Sequence, residues 1–422
     1  MPHDSIDPDD LLRHQLDVLR ENGVDVPPSD AGAPERLEQL EALVVTGTGD
    51  EPSDWPSLEP IAGAAPRVRI DPAQVEDRIL AGWIGRCAAN TLGKPFETVE
   101  WTPGRIRRYL EAADSWPLLD YAPRIPLPEG LPSLREDCAG TTMRGLISYV
   151  TRDDDLDYTL LNLLMLERYG LGFTTEDVGR TWLELLPFGK IFTAEAAAYR
   201  NLTEGVVVPV TASRHNPYRE WIGALIRADV FGLVAPGRPA DAAALAFRDA
   251  RLSHVRNGIY GEMWAAAAIA AAFGADDARD VVVRASAVIP PRSRLAGALR
   301  QTVGMRAAGA SWDDAIAFAR GLGYYYVHTI NNAVIIAAAL LWGEGDFSRT
   351  IGLAVAGAYD TDSNAATVGT IAGVLAGTAG IPQHWIAPLN DSFHSALSGH
   401  AEHPLSELAA RTAALVPKRA VG

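Results

Sequence analysis

Apolar residues recur along this chain at the three-to-four-residue spacing of helices, and scarcely anywhere in the alternation of strands. Leu11, Leu12, Leu16, Val18 and Leu19 predict a helix over 9–19, and a shorter helix fits 34–43. Beyond Asp153 the helical signal is nearly continuous, over 158–169, 175–186, 194–202, 218–231, 239–252, 261–273, 276–287, 294–309, 313–320, 332–342, 347–357 and 364–376. Gly, Pro and Asn punctuate the gaps. Residues 206–210 give the best isolated strand candidate. The pattern predicts an all-α fold of a dozen or more helices, many so rich in Ala and Gly that they pack closely.

Residues 47–65 are rich in Gly, Pro, Asp and Ser, a linker composition, and the chain turns steadily apolar only after Asp71-Pro72. The expected organisation is an N-terminal helical appendage with its linker, residues 1–66, followed by a main domain, residues 67–422. The proline-rich stretch 117–132 reads as a long ordered loop beside the functional site. The apolar runs 263–273 and 371–381 are short or broken by glycine, so they read as core helices and not as membrane spans. Met1 to Pro8 is polar, with no signal-peptide pattern.

With 422 residues, 48% of them hydrophobic, the chain is long enough for one large domain or two smaller ones. A net charge of −16 argues against a general nucleic-acid or anionic-membrane binder. Two cysteines, Cys87 and Cys138, make neither a disulfide framework nor a four-cysteine zinc site, and they point to a reducing compartment, the cytoplasm.

The chemistry concentrates in acidic clusters. Asp360-Thr361-Asp362-Ser363-Asn364 opens a Gly/Ala-rich helix, and its carboxylates and hydroxyl are the hard oxygen ligands that Mg²⁺, Mn²⁺ or Ca²⁺ prefer. Far upstream, Asp153-Asp154-Asp155, with Asp157 behind it, precedes another apolar helix. Either cluster read alone also fits a helix N-terminus, where carboxylates cap free N–H groups. If the two converge, like charges need cations to neutralise them, and a two-metal centre is the expectation.

Four segments together resemble the ADP-ribosylglycohydrolase family: Gly85 to Glu97, Asp153 to Thr159, Leu252 to Gly261, and Gly357 to Gly369. The resemblance implies an all-helical orthogonal bundle with a binuclear Mg²⁺ or Mn²⁺ site, acting on an ADP-ribosylated small molecule or protein. By motif position the implied metal ligands are Asp153, Asp154, Asp155, Asp360, Asp362 and Ser363, with Asp155 and Asp360 also catalytic. Glu97 matches the family's site glutamate and becomes the candidate acid/base. His254, Gly258, Tyr260, Tyr199 and Arg200 fall where the family places substrate contacts.

The chain also departs from the family pattern. Asn90 stands where many members carry aspartate, and Thr193 to Tyr199, ahead of Arg200, contains no glycine. A segment without glycine offers fewer free backbone N–H groups to cradle a diphosphate. Three alternatives follow: a glycohydrolase or lyase for another ribosylated small molecule or nucleoside, a catalytically silent ligand-binding relative, or a phosphoryl hydrolase.

Overall fold

The computed structural model describes residues 6–417. The expectations for Met1 to Ser5 and for the last five residues of the main domain lie outside that span. Among the described residues the chain forms twenty α-helices and a single two-stranded ladder, Ser392–His394 against Glu402–Pro404. Six helices, numbered in chain order, carry the central packing and the functional groups: α1 (Pro8–Glu21), α2 (Val75–Gly93), α3 (Asp154–Tyr169), α4 (Asn257–Ala272), α5 (Thr329–Gly343) and α6 (Thr361–Ala376).

Every residue of α4 and α5 is buried, and so is nearly all of α2 and α6. A helix with no polar face has no stable place at a surface, so these four form the centre and the remaining helices wrap them. Their Ala- and Gly-rich composition lets the axes come close.

The tightest contact is the antiparallel pair α2 and α6. Gly82 lies against Val374 and Thr370, Gly85 faces Gly369, and Gly93 faces Thr361 and Asp362. A Cβ on Gly85 would collide with the Gly369 carbonyl, a Cβ on Gly369 with the Gly85 carbonyl, and a Cβ on Gly93 would lie 2.6 Å from Asp362 Cα. At Gly93 the Thr361 hydroxyl donates to the Gly93 carbonyl at 2.9 Å. The C-terminal end of α2 is thereby fixed against the N-terminal end of α6.

The expected strand at 206–210 does not form. Pro209 lacks an N–H for a ladder, and the Asn201 amide donates to the Thr211 carbonyl at 2.9 Å, holding the segment in a turn. The expected helix over 218–231 is also largely absent, reduced to the short turn Leu225–Arg227 and helix Asp229–Leu233. Its polar residues Arg219 and Glu220 are buried in tertiary pairings, which override the local helical preference. The helices that the apolar pattern does not predict include α2 itself, Pro103–Ala112, Glu136–Thr142 and Leu405–Ala414.

The appendage is not loosely tethered. Its α1 packs its His14 ring edge-on to Trp221 and Tyr325, with centroids at 5.0 and 5.2 Å. The presumed linker contains a helix, Trp55–Gly63, and a buried Glu51 that pairs with Arg256 and with Arg294. No described helix is long and apolar enough to cross a membrane.

Gly369→Val should lower unfolding stability by about 3 kcal/mol or more, because both backbones would have to separate. Gly304→Ala, at an exposed helical position with nothing within 4 Å, should change it by under about 1 kcal/mol in the stabilising direction. Denaturant unfolding of the two variants checks the contrast.

Candidate metal centre and active site

The two acidic clusters converge. Asp153 caps α3, its carboxylate accepting from the Asp155 N–H at 3.2 Å, so the capping expectation holds and the residue serves the site as well. Asp155 follows in the first turn. Asn90, in the last turn of α2, bridges both, donating to Asp153 Oδ1 at 3.1 Å and Asp155 Oδ2 at 3.0 Å. One turn earlier, Arg86 donates to the Asp155 carbonyl at 2.7 Å and pairs with Asp229 at 2.8 Å. The side chains of α2 therefore hold the start of α3 in place.

From the other side comes α6. Ala358 and Tyr359, just before it, have φ of 60° and 65°, a left-handed conformation that costs non-glycine residues about 1 kcal/mol or more each. The turn they make leaves Asp360, Asp362 and Ser363 buried at the junction with α2. Asp153, Asp155 and Asp362 each offer a carboxylate oxygen within 4.8 Å of the others, and so do Glu97, Asp360 and Asp362. Asp362 belongs to both groups. Asp154 sits half-buried beside them.

So many carboxylates in one place raise each other's proton affinity. Burial, then the Asp153 charge, pushes Asp154 up to about 7. Burial and Asp153 push Asp362 up to about 6 against the pull of Arg135. Asp155 and Asp360 are driven well above the usual carboxylate range, chiefly by burial and then by neighbouring carboxylates. Asp153 differs: burial opposes its charge, yet Lys94 and Arg135 outweigh burial and hold it below that range. Lys94 Nζ lies 2.9 Å from Asp153 Oδ2. Arg135 pairs with Glu97 and approaches Asp362 at 3.7 Å.

Two buried oxygens, Asp155 Oδ1 and Asp360 Oδ1, have no hydrogen-bond partner. Unpartnered carboxylate oxygens at such depth are costly unless a cation meets them. The donor set of carboxylates and the Ser363 hydroxyl is the chemistry of a hard divalent ion.

The expected substrate contacts are engaged elsewhere. His254 is fully buried, its Nδ1 2.8 Å from the Ser253 hydroxyl, and burial and Arg227 keep its pKa well below the ordinary imidazole value. Gly258 packs beneath His254, and the Tyr260 hydroxyl donates to the Pro52 carbonyl of the N-terminal segment. Arg200 donates to Asn201 Oδ1 at 3.1 Å and the His215 carbonyl at 3.2 Å, while Tyr199 lies against Phe188. Among the described residues no hydrogen bond or ion pair links these five to the acidic pocket.

Sequence reasoning assigned no role to Lys94, Arg135 or Asn332. Lys94 lies inside a motif already singled out, so its spacing was a usable signal. Arg135 arrives at the end of the irregular stretch that contains the proline-rich loop, expected beside the site. Asn332 accepts from the Asn364 amide at 2.8 Å and donates to the Tyr326 carbonyl at 2.8 Å, tying α6 to α5 and to the segment just before α5.

A family model described as ADP-ribosylglycohydrolase matches residues 71–419. The chain belongs to the ADP-ribosylglycohydrolase family. One solved structure, described as an "ADP-ribosylglycohydrolase-related protein complex", is similar at 19% identity with a TM-score of 0.49, covering 83% of this chain and all of that one. No curated protein matches.

Asp362 and Asp154 each make the stability of the metal-free protein fall as pH rises, against buried His254 and His328, which make it rise. An acid whose folded pKa lies above its unfolded one binds its proton more tightly when folded. Its contribution is full below the unfolded value, 3.8 here, and is lost as pH rises through the folded values of about 6 and about 7. In denaturation without divalent ions, the wild type should lose on the order of 1–3 kcal/mol between pH 5 and pH 8 relative to the double variant Asp154→Asn/Asp362→Asn, a comparison in which the opposite response of buried His254 and His328 cancels. Excess Mg²⁺ should stabilise the wild type more at pH 8 than at pH 5, and parallel metal-free profiles for wild type and variant would contradict the assignment.

Proposed function

We propose that the chain hydrolyses a ribosyl glycosidic bond in an ADP-ribosylated substrate, a small molecule or a modified protein, with Mg²⁺ or Mn²⁺ held by Asp153, Asp154, Asp155, Asp360, Asp362 and Ser363. The observation that carries the reading is the sharing of Asp362 by two carboxylate groups that each leave a buried oxygen unpartnered, in a member of a glycohydrolase family. The shared carboxylate supports a centre of two ions.

Cleavage of the bond at the anomeric carbon builds positive charge on that carbon and the ring oxygen. Bound divalent ions would orient the ribose hydroxyls and acidify a water. With the ions bound, Asp155 and Asp360 would be ionised and supply negative charge near the developing cation. Glu97, its side chain 31% exposed at the pocket edge, would move a proton to the leaving group or from the water. Arg135 pairs with that carboxylate at the pocket edge. A cytoplasmic location is part of the proposal, in keeping with Cys87 and Cys138 both free and buried.

One observation favours a second substrate class. The segment before Arg200 is a helix, Thr193–Thr203, whose Ala194 to Ala198 are buried, and Arg200 spends its donors on the protein's own oxygens. That arrangement offers no diphosphate cradle there, which favours a ribosylated small molecule without a diphosphate.

Glu97→Gln and Asp360→Asn should each lower kcat/KM for ADP-ribosyl-arginine by about 100-fold or more, read by chromatographic release of ADP-ribose. Turnover of simple ribosides alone by the wild type would move the function to the second class, and release of inorganic phosphate would sink both.

A further inference from the structure

The two halves of the acidic pocket carry different resident cations, and the difference has a chemical consequence. On the Asp153 side, Lys94 is 1% exposed, its stem fixed immediately beyond α2, where its backbone N–H bonds the Asn90 carbonyl. Its ammonium contacts Asp153 Oδ2 at 2.9 Å and also donates to the Arg152 carbonyl. Asp153 Oδ1 already accepts from Asn90 and from the Asp155 N–H, so both its oxygens are taken by protein donors. Asp155 Oδ2 is taken by Asn90 as well, which leaves Oδ1 as that residue's unclaimed oxygen.

On the Asp360 side the resident cation is Arg135, whose side chain is 26% exposed. It keeps a second, bidentate partner in Asp137, with Nε at 3.2 Å and Nη2 at 2.9 Å. Arg135 can leave Glu97 and Asp362 without becoming an unpaired buried charge. Lys94 cannot leave Asp153 on those terms, and removing one partner from a buried pair is strongly unfavourable.

We propose that Lys94 is a built-in cation that occupies the Asp153–Asp155 half of the pocket, so that a divalent ion loads first between Glu97, Asp360 and Asp362. The second ion binds at least about 100-fold more weakly, because it must compete with an ammonium that has no other carboxylate in contact. The inference rests on the reading that the pocket binds divalent ions, and it adds an order of filling and the residue that sets it.

Mn²⁺ titration of the full chain, followed by calorimetry and by the paramagnetic resonance of free Mn²⁺, tests it without reference to turnover. The expected result for the wild type is one tight ion per chain and a second at least 100-fold weaker. Lys94→Met, which keeps the stem and removes the charge, should bring the two affinities within about tenfold. Arg135→Ala should tighten the first ion and leave the second unchanged. Asp360→Asn should abolish the tight ion, and Asp155→Asn should leave it within about tenfold. Two ions of similar affinity in the wild type overturn the inference while leaving the proposed metal centre intact, and this reading needs no variant to fold. A second ion that stays weak in folded Lys94→Met overturns it too. No Mn²⁺ bound by the wild type would remove both the inference and the metal centre beneath it.

Discussion

The close approach of α2 and α6 is the constraint on which the site depends. Two backbones packed glycine against glycine at Gly85 and Gly369 leave almost no freedom to slide or tilt. The junction of the α2 C-terminus with the α6 N-terminus is then set to a fraction of a residue. At that junction Gly93 hands the chain to Lys94 and Glu97 while Thr361 hands it to Asp362, with a side-chain-to-backbone hydrogen bond between them. A looser pair of helices would still bury apolar area, but it would not hold Glu97, Asp360 and Asp362 within 4.8 Å of one another.

Packing so many carboxylates together is expensive in the absence of counter-charge, and the fold supplies that counter-charge unevenly. Asn90 and Lys94 satisfy Asp153, Arg135 covers the mouth, and Asp155 Oδ1 and Asp360 Oδ1 are left for something the protein does not provide. The raised proton affinities of Asp154 and Asp362, set first by burial and then by the Asp153 charge, express the same lack of counter-charge, which a divalent cation would relieve. The electrostatic demand and the ligand chemistry thus point the same way, and the rigid helix junction keeps the demand from relaxing by movement.

Much of this was legible in the sequence because long apolar runs with glycine and proline punctuation have few other readings. The helices from 158 onward and the acidic opening of α6 follow from that pattern. The helix that matters most, α2, did not: it is buried on nearly all sides, so its polar residues Arg86 and Asn90 interrupt the apolar run without marking a solvent face. Arg219 and Glu220 misled in the opposite direction, since a helical pattern over 218–231 yields to buried tertiary pairings, a hydrogen bond from Arg219 to Gln15 and an ion pair of Glu220 with Arg294. His254, Tyr260 and Arg200 were reasonable site expectations by motif. Their observed partners belong to the interior and to the N-terminal segment, contacts made across more than a hundred residues of chain in the case of Tyr260 and Pro52, which no local pattern encodes. Arg135 had no local signature because its role comes from where an irregular stretch ends.

The most direct measurement is anomalous diffraction from crystals of the intact chain grown with Mn²⁺ and ADP-ribose. The account predicts a manganese peak bounded by Glu97, Asp360 and Asp362, with the ribose seated over it. Manganese absent from that pocket, or ADP-ribose bound away from it with Glu97 and Asp362 still joined to Arg135, would contradict the account.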